Sequence, residues 1–173
     1  VAAPFSSSYR GQVGVWYGAN TSTWNAEMTL GDADAVLRGS PQRFFGSALA
    51  CGDIDGNGTD DLAVAHGEIN YSTTGGSLKS AFDIALFYGD GTAWSGMVND
   101  TTADAILERE LGVNGDAVVV NLPITIQDLS GDGAGELIMR APTTYSTSGS
   151  DEIEIVLGAA YTGTQDFEDI DVF

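Results

Sequence analysis

A nine-residue pattern occurs twice in this chain and constrains everything around it. Asp53-Ile54-Asp55-Gly56-Asn57-Gly58-Thr59-Asp60-Asp61 and Asp128-Leu129-Ser130-Gly131-Asp132-Gly133-Ala134-Gly135-Glu136 both put oxygen-bearing side chains at positions 1, 3, 5 and 9, with Gly at 6. Alternate residues of a tight loop point several oxygens inward, which suits a hard cation; Ca²⁺ takes roughly six to eight oxygens at about 2.3–2.6 Å. The first loop offers the side chains of Asp53, Asp55, Asn57 and Asp61 and the backbone carbonyl of Thr59. The second offers Asp128, Ser130, Asp132 and Glu136 with the carbonyl of Ala134, and Ser130 is a weaker donor than Asp55. Gly58 and Gly133 are expected in the left-handed backbone region that such a bend requires. A metal-free Asp/Gly turn is the competing reading, because such turns commonly join strands. Two copies of one pattern in one context favour the cation.

The first half of each loop matches the start of an EF-hand, but the rest does not. An EF-hand needs a bidentate Glu at position 12 and helices on both sides. Position 12 is Val64 in one loop and Met139 in the other. The flanks are short apolar runs, Ser47–Cys51 and Leu62–Ala65 around the first loop, 118–126 and Leu137–Met139 around the second. Runs of this length bounded by turn residues read as strands. Each loop is therefore expected to be the turn of a strand–loop–strand hairpin.

The surroundings repeat as well. Trp24 recurs as Trp94, and Ala33-Asp34-Ala35-Val36-Leu37 as Ala103-Asp104-Ala105-Ile106-Leu107, each 70 positions on. Tyr17-Gly18 recurs as Tyr88-Gly89 and then as Leu157-Gly158. Strands are expected near 46–53, 61–67, 81–88 and 104–110, then near 118–127, 136–142, 152–158 and 165–172. Two more are expected near 11–17 and 33–38. In Glu152-Ile153-Glu154-Ile155 the two isoleucines are expected to face a core and the two acids to face water. Four short antiparallel strands per unit, repeated radially, is the plan of a β-propeller blade.

Phe45-Gly46 followed by the loop Asp53–Asp61 and Leu62-Ala63-Val64 resembles an FG-GAP repeat, the unit of integrin α-subunit β-propellers and their relatives. The resemblance spans residues 11–172 and implies an all-β fold of antiparallel four-stranded blades with Ca²⁺ in both loops. It divides the chain into a tail at 1–10, a partial blade at 11–40, a blade at 41–112 holding loop 53–61, and a blade at 113–173 holding loop 128–136. Departures from the family pattern are Ala65-His66-Gly67 and Arg140-Ala141-Pro142 where Gly-Ala-Pro is expected, and no Phe-Gly before the second loop. The family closes rings of about seven blades, whereas two and a half fall below the usual propeller range. Another chain, or copies of this one, is therefore expected to cover exposed blade edges. The resemblance implies a non-enzymatic, extracellular module for adhesion, protein–protein interaction or assembly. A subunit of a surface layer or filament is one alternative, and a carbohydrate-binding or carbohydrate-active module is another.

Charge narrows the partners. Twenty-five acids stand against six bases, a net charge of −19. Six of those acids are the carboxylates proposed as ligands; the rest keep the chain soluble and disfavour nucleic acid and anionic membranes. Lys79 and five arginines as the only bases suit a marine or halophilic setting, as does a Ca²⁺-rich medium. No apolar run reaches the length of a membrane span. Val1-Ala-Ala-Pro-Phe-Ser-Ser-Ser lacks the basic and apolar regions of a signal peptide, so secretion would imply prior cleavage.

Catalytic chemistry has little to stand on. Cys51 is the sole cysteine, so no intrachain disulfide forms, and it is expected as a small buried core residue. His66 is the sole histidine and is expected at a turn or blade edge rather than as a base. Trp16 is expected in the core. Trp24 and Trp94 are expected to pack between blades, with sugar stacking as the alternative. The loops around Tyr71 and Tyr145 are expected to carry recognition.

Overall fold

Short apolar runs separated by glycine-rich turns become strands in the computed structural model, which describes residues 1–18, 27–41, 43–70, 79–113, 123–140 and 153–166. In chain order these are β1 (Ala2–Ala3), β2 (Gln12–Val15), β3 (Ala35–Arg38), β4 (Ala48–Gly52), β5 (Asp61–Asn70), β6 (Lys79–Phe87), β7 (Gly96–Asn99), β8 (Ala105–Val113), β9 (Ile124–Gln127), β10 (Glu136–Arg140), β11 (Ile153–Val156) and β12 (Gly163–Asp166). They form three sheets, ordered β1-β2-β3-β7, β12-β8-β6-β5-β4 and β11-β10-β9. Pairing is antiparallel except for β7 on β3 and β12 on β8. The all-β expectation holds, and the sheets do not close into a ring among the described residues.

The central sheet explains why β5 and β6 are apolar without alternation: both of its faces are covered. Leu62 and Val64 of β5 and Ala85 and Phe87 of β6 meet Val13, Leu37 and Phe45 on the side of the first sheet. Ala63 and Ala65, with Phe82, Ile84 and Leu86, meet Ile124, Leu137, Met139 and Val156 of the third. Each large side chain fully buried there contributes about 1.5–3 kcal/mol.

The internal repeat has a geometric meaning. Tyr17 N–H donates to Asp34 Oδ2 at 2.8 Å, and Tyr88 N–H donates to Asp104 Oδ2 at 2.8 Å. The carbonyls of the same two aspartates accept from Gly96 and Gly163, both at 3.1 Å, where β7 and β12 begin. Tyr17 Oη accepts from Trp94 N–H at 2.5 Å, and Tyr88 Oη from Tyr161 N–H at 2.8 Å. Each repeat thus lends a strand to the outer edge of the sheet before it, clasped by a tyrosine and an aspartate of that sheet. Asp100, just past β7, anchors the first clasp by accepting from Ser40 N–H at 2.6 Å and Ser40 Oγ–H at 2.9 Å.

Several expectations are corrected here. β7 was not foreseen, and the strand expected near 165–172 starts at Gly163 and joins the central sheet rather than the third. Residues 2–3, expected as part of a tail, pair with Gln12 and Val13. Ile153, expected to face a core, is exposed; on β11 it is Val156, opposite Leu137 in register, that is buried. Cys51 is exposed, because β4 is an edge strand and its thiol opens into a groove of about 730 Å³ shared with Val15, Trp16 and Leu49. Trp16 lies just beyond β2 and is half-buried, its ring covering Gly14. Trp24, the loops around Tyr71 and Tyr145, residues 118–122 and residues 167–173 lie outside the described residues.

Candidate metal centre

Both nonapeptides are hairpin turns, β4 into β5 and β9 into β10. Their internal hydrogen bonds nearly superpose. The position-9 carboxylate accepts from the N–H groups of positions 2 and 3. Asp61 Oδ2 takes Ile54 at 2.7 Å and Asp55 at 3.4 Å, and Glu136 Oε2 takes Leu129 at 2.6 Å and Ser130 at 3.3 Å. The position-1 carboxylate accepts from position 6, Gly58 to Asp53 at 2.7 Å and Gly133 to Asp128 at 3.1 Å. The position-5 side chain accepts from position 7, Thr59 to Asn57 at 2.8 Å and Ala134 to Asp132 at 2.9 Å. Gly58 and Gly133 have φ of +87° and +96°, as expected. Gly56 and Gly131 at position 4 share the left-handed region, a second requirement of the bend that was not anticipated.

This folding brings carboxylates together. Oxygens of Asp53, Asp55 and Asp61 lie within 4.8 Å of one another, as do those of Asp128, Asp132 and Glu136. Ligands on opposite sides of one Ca²⁺ are about 5 Å apart at most, so both donor sets fit a single cation. Ser130 Oγ lies 3.5 Å from Asp128 Oδ1 at the rim of the second set. Asn57 turns its amide nitrogen toward Asp55 Oδ2 at 3.0 Å, so its oxygen joins the ligand set only if the amide reorients. Thr59 and Ala134 sit at position 7 with their N–H groups already engaged, leaving their carbonyls as the expected backbone donors.

Electrostatics points the same way. Burial pushes the Asp61 carboxyl above its ordinary range, opposed by the Gly89 and Ile54 N–H donors and reinforced by the charge of Asp55. Burial and the charge of Asp55 make the ionised Asp61 costly, and a divalent cation beside it removes that cost.

The recurrent Tyr-Gly and Leu-Gly also acquire a role. Gly89 N–H donates to Asp61 Oδ1 at 2.8 Å, and its carbonyl accepts from Asn57 Nδ2 at 2.9 Å. A Cβ on Gly89 would lie 2.4 Å from the Asp60 carbonyl oxygen; one on Gly158 would lie 2.8 Å from Ala134 Cβ. Each glycine lets the turn after its sheet's third strand lie directly on the acidic loop. The two loops also touch: Gly135 N–H donates to the Asp53 carbonyl at 2.6 Å.

Residues weighed for catalysis go elsewhere. His66 is not at a turn or edge but within β5 and fully buried, because β5 runs on to Asn70 and Phe45 lies over the ring. The Cys51 thiol, exposed at the β4 edge yet partly desolvated by the walls of its groove, is pushed up by that desolvation and then by the Asp60 charge, away from the reactive thiolate. Trp94 packs edge-on against Phe87, ring centroids 6.5 Å apart, between the first and central sheets. No family model matches the chain, and no curated protein sequence matches it.

Proposed function

We propose that this chain is a non-enzymatic, calcium-stabilised segment of an integrin-like β-propeller of FG-GAP repeats, working outside cells in adhesion, protein–protein interaction or assembly. One observation carries it: two carboxylate loops with matching hydrogen bonds, in the corresponding hairpins of consecutive sheets. Ca²⁺ would be held by Asp53, Asp55 and Asp61 with Asn57 and the Thr59 carbonyl, and by Asp128, Asp132 and Glu136 with Ser130 and the Ala134 carbonyl. Extracellular calcium at millimolar level fills even weak sites of about 10⁻⁴–10⁻³ M. The chain's own residues do the mechanical work: the loops fix where β4 leaves for β5 and β9 for β10, and so the relative seating of two sheets.

Calorimetric titration of chelator-treated protein is expected to give two Ca²⁺ equivalents. Melting is expected to rise by many degrees on adding millimolar Ca²⁺, with Asp55→Ala losing much of that gain. An unchanged melting temperature with and without chelator would overturn the reading.

Assembly is favoured among these roles by the outer strand of the third sheet. Ile153 on β11 is 69% exposed, beside Ile138 and Arg140 in a groove of about 500 Å³. Light scattering that gives a monomer mass at all concentrations would remove that role and leave ligand binding.

A further inference from the structure

His66, Asp83 and Arg43 form a buried cluster that the calcium reading does not use. His66 on β5 and Asp83 on β6 are register partners, both on the face turned toward the first sheet. Arg43 comes from the segment that leads from β3 into β4. Its Nη1 lies 3.2 Å from Asp83 Oδ2, and His66 Nδ1 lies 3.6 Å from that same oxygen. The His66 side chain is wholly enclosed and Asp83 is 3% exposed, whereas Arg43 sits at the solvent edge at 28%. Among the described residues, neither ring nitrogen of His66 has a hydrogen-bond partner. Phe45 lies over the ring, its centroid 5.9 Å away, and packs with Val13 and Leu37 in one core, while Glu68 follows His66 by two positions along β5. On β8, Glu108 stands opposite Asp83 in register and is exposed.

We propose that these three side chains are an acid-operated latch on segment 43–47, the connection between the first and central sheets. At neutral pH the Asp83 carboxylate serves Arg43 and the imidazole stays neutral. A proton taken from solvent onto Nδ1 makes His66 a second cation bidding for Asp83 Oδ2. Water reaches the imidazolium only when segment 43–47 lifts, carrying Phe45 off the ring and Arg43 away from Asp83, so protonation favours the lifted state. Four backbone hydrogen bonds report the closed state. Phe44 N–H donates to Tyr9 and Phe45 N–H to Arg10, and Gly46 and Ser47 N–H both donate to Ala65, at 3.0–3.1 Å.

The linkage has a definite sign. Burial first, and then the Arg43 charge, hold the closed-state imidazole pKa down at about 3, against about 6.5 when it is free. The closed state is therefore fully favoured above about pH 6.5 and loses ground as pH falls toward 3. Opening gains about tenfold per pH unit in that window, or about thirtyfold at pH 5.

Hydrogen exchange at amides 44–47, corrected for intrinsic pH dependence, tests this in calcium-replete protein. The native chain is expected to show about a thirtyfold rise in opening from pH 7.5 to 5, and His66→Phe a flat profile. An equal rise in His66→Phe, or none in the native chain, would overturn the latch. Should His66→Phe not fold, Arg43→Gln decides. Because the chain has one histidine, its single ring resonance is followed by NMR and should titrate more than one unit higher in Arg43→Gln. An unchanged midpoint refutes the shared-carboxylate arrangement.

Discussion

Loops 53–61 and 128–136 share one nonapeptide pattern and one hydrogen-bond scheme, yet they sit in different surroundings. In the first, Asp61 is 1% exposed, Asp53 and Asp55 are half-buried, and Gly89 clamps the loop from β6 through two hydrogen bonds. In the second, Asp128 and Asp132 are exposed and only Glu136 is buried. Position 3 changes from Asp to Ser, and position 9 from Asp to the longer, more adaptable Glu. The ligand pattern sets what each loop is able to bind. The neighbouring sheet sets how rigidly it holds that geometry before a cation arrives, and rigidity, together with ligand charge, tunes affinity. The first loop is accordingly expected to bind the tighter of two cations.

Removing the position-9 acid breaks the comparison most directly. Asp61→Ala strips the buried N–H groups of Ile54 and Gly89 of their acceptor and deletes a ligand. A loss of about 3–5 kcal/mol in calcium is expected from unfolding in urea, since buried donors left unpaired carry their full desolvation cost. Glu136→Ala also removes a buried acceptor, but the N–H groups it frees belong to the exposed Leu129 and Ser130, which water reaches, so about 1–2 kcal/mol is expected. Equal losses would show that the clamp from Gly89 adds nothing.

The difference in setting was only partly legible in the sequence. The loops, and strands β4, β5, β6, β8 and β10, were readable because their apolar runs are local and lie between glycine turns. β7 was not, and β12 was expected two residues late and in the wrong sheet. Gly96-Met97-Val98-Asn99 and Gly163-Thr164-Gln165-Asp166 carry little apolar pattern, since they lie on sheet edges, and both pair with strands about 60 positions earlier. The alignment of Asp34 with Asp104 was visible, but its purpose, holding a tyrosine turn and launching a strand lent by the next repeat, exists only in three dimensions. Likewise His66 followed a four-residue apolar run and preceded Gly67, which looked like a strand ending. Its burial depends on Phe45, whose distance in sequence hid the contact. Cys51 fails in the opposite sense: an apolar neighbourhood in sequence, but an edge strand in space.

The recurrent glycines sharpen the comparison at the next level. Gly89→Ala drives a methyl group to 2.4 Å from the Asp60 carbonyl oxygen and 2.8 Å from Thr59 Cγ2. Relief requires the 88–90 turn to lift off the loop, which pulls Gly89 N–H from Asp61. About 2–3 kcal/mol of stability should be lost, and calorimetry should show the tighter calcium step weakened about tenfold while the second is unmoved. In Gly158→Ala the nearest atom is Ala134 Cβ at 2.8 Å, in a loop freer to shift. About 1 kcal/mol is expected there, confined to the weaker step. A first step insensitive to Gly89→Ala would separate the turn from the site.

The smallest effect concerns the clasps. Tyr88 is half-buried, and burial above all pushes its phenol up to about 12, despite the backbone hydrogen bond to Tyr161. Tyr17 is 36% exposed and, among the described residues, its hydroxyl holds only Trp94 N–H. Tyr88→Phe should therefore cost about 1.5 kcal/mol in urea unfolding, and Tyr17→Phe about 0.5 kcal/mol, because the N–H freed by Tyr17→Phe reaches water more easily. Ultraviolet titration to high pH offers a second reading, in which Tyr88→Phe removes a late-ionising phenol. If both variants lost the same small amount, the clasp between the central and third sheets would be no tighter than the one at the first. The greater order of the first metal loop would then rest on Gly89 alone.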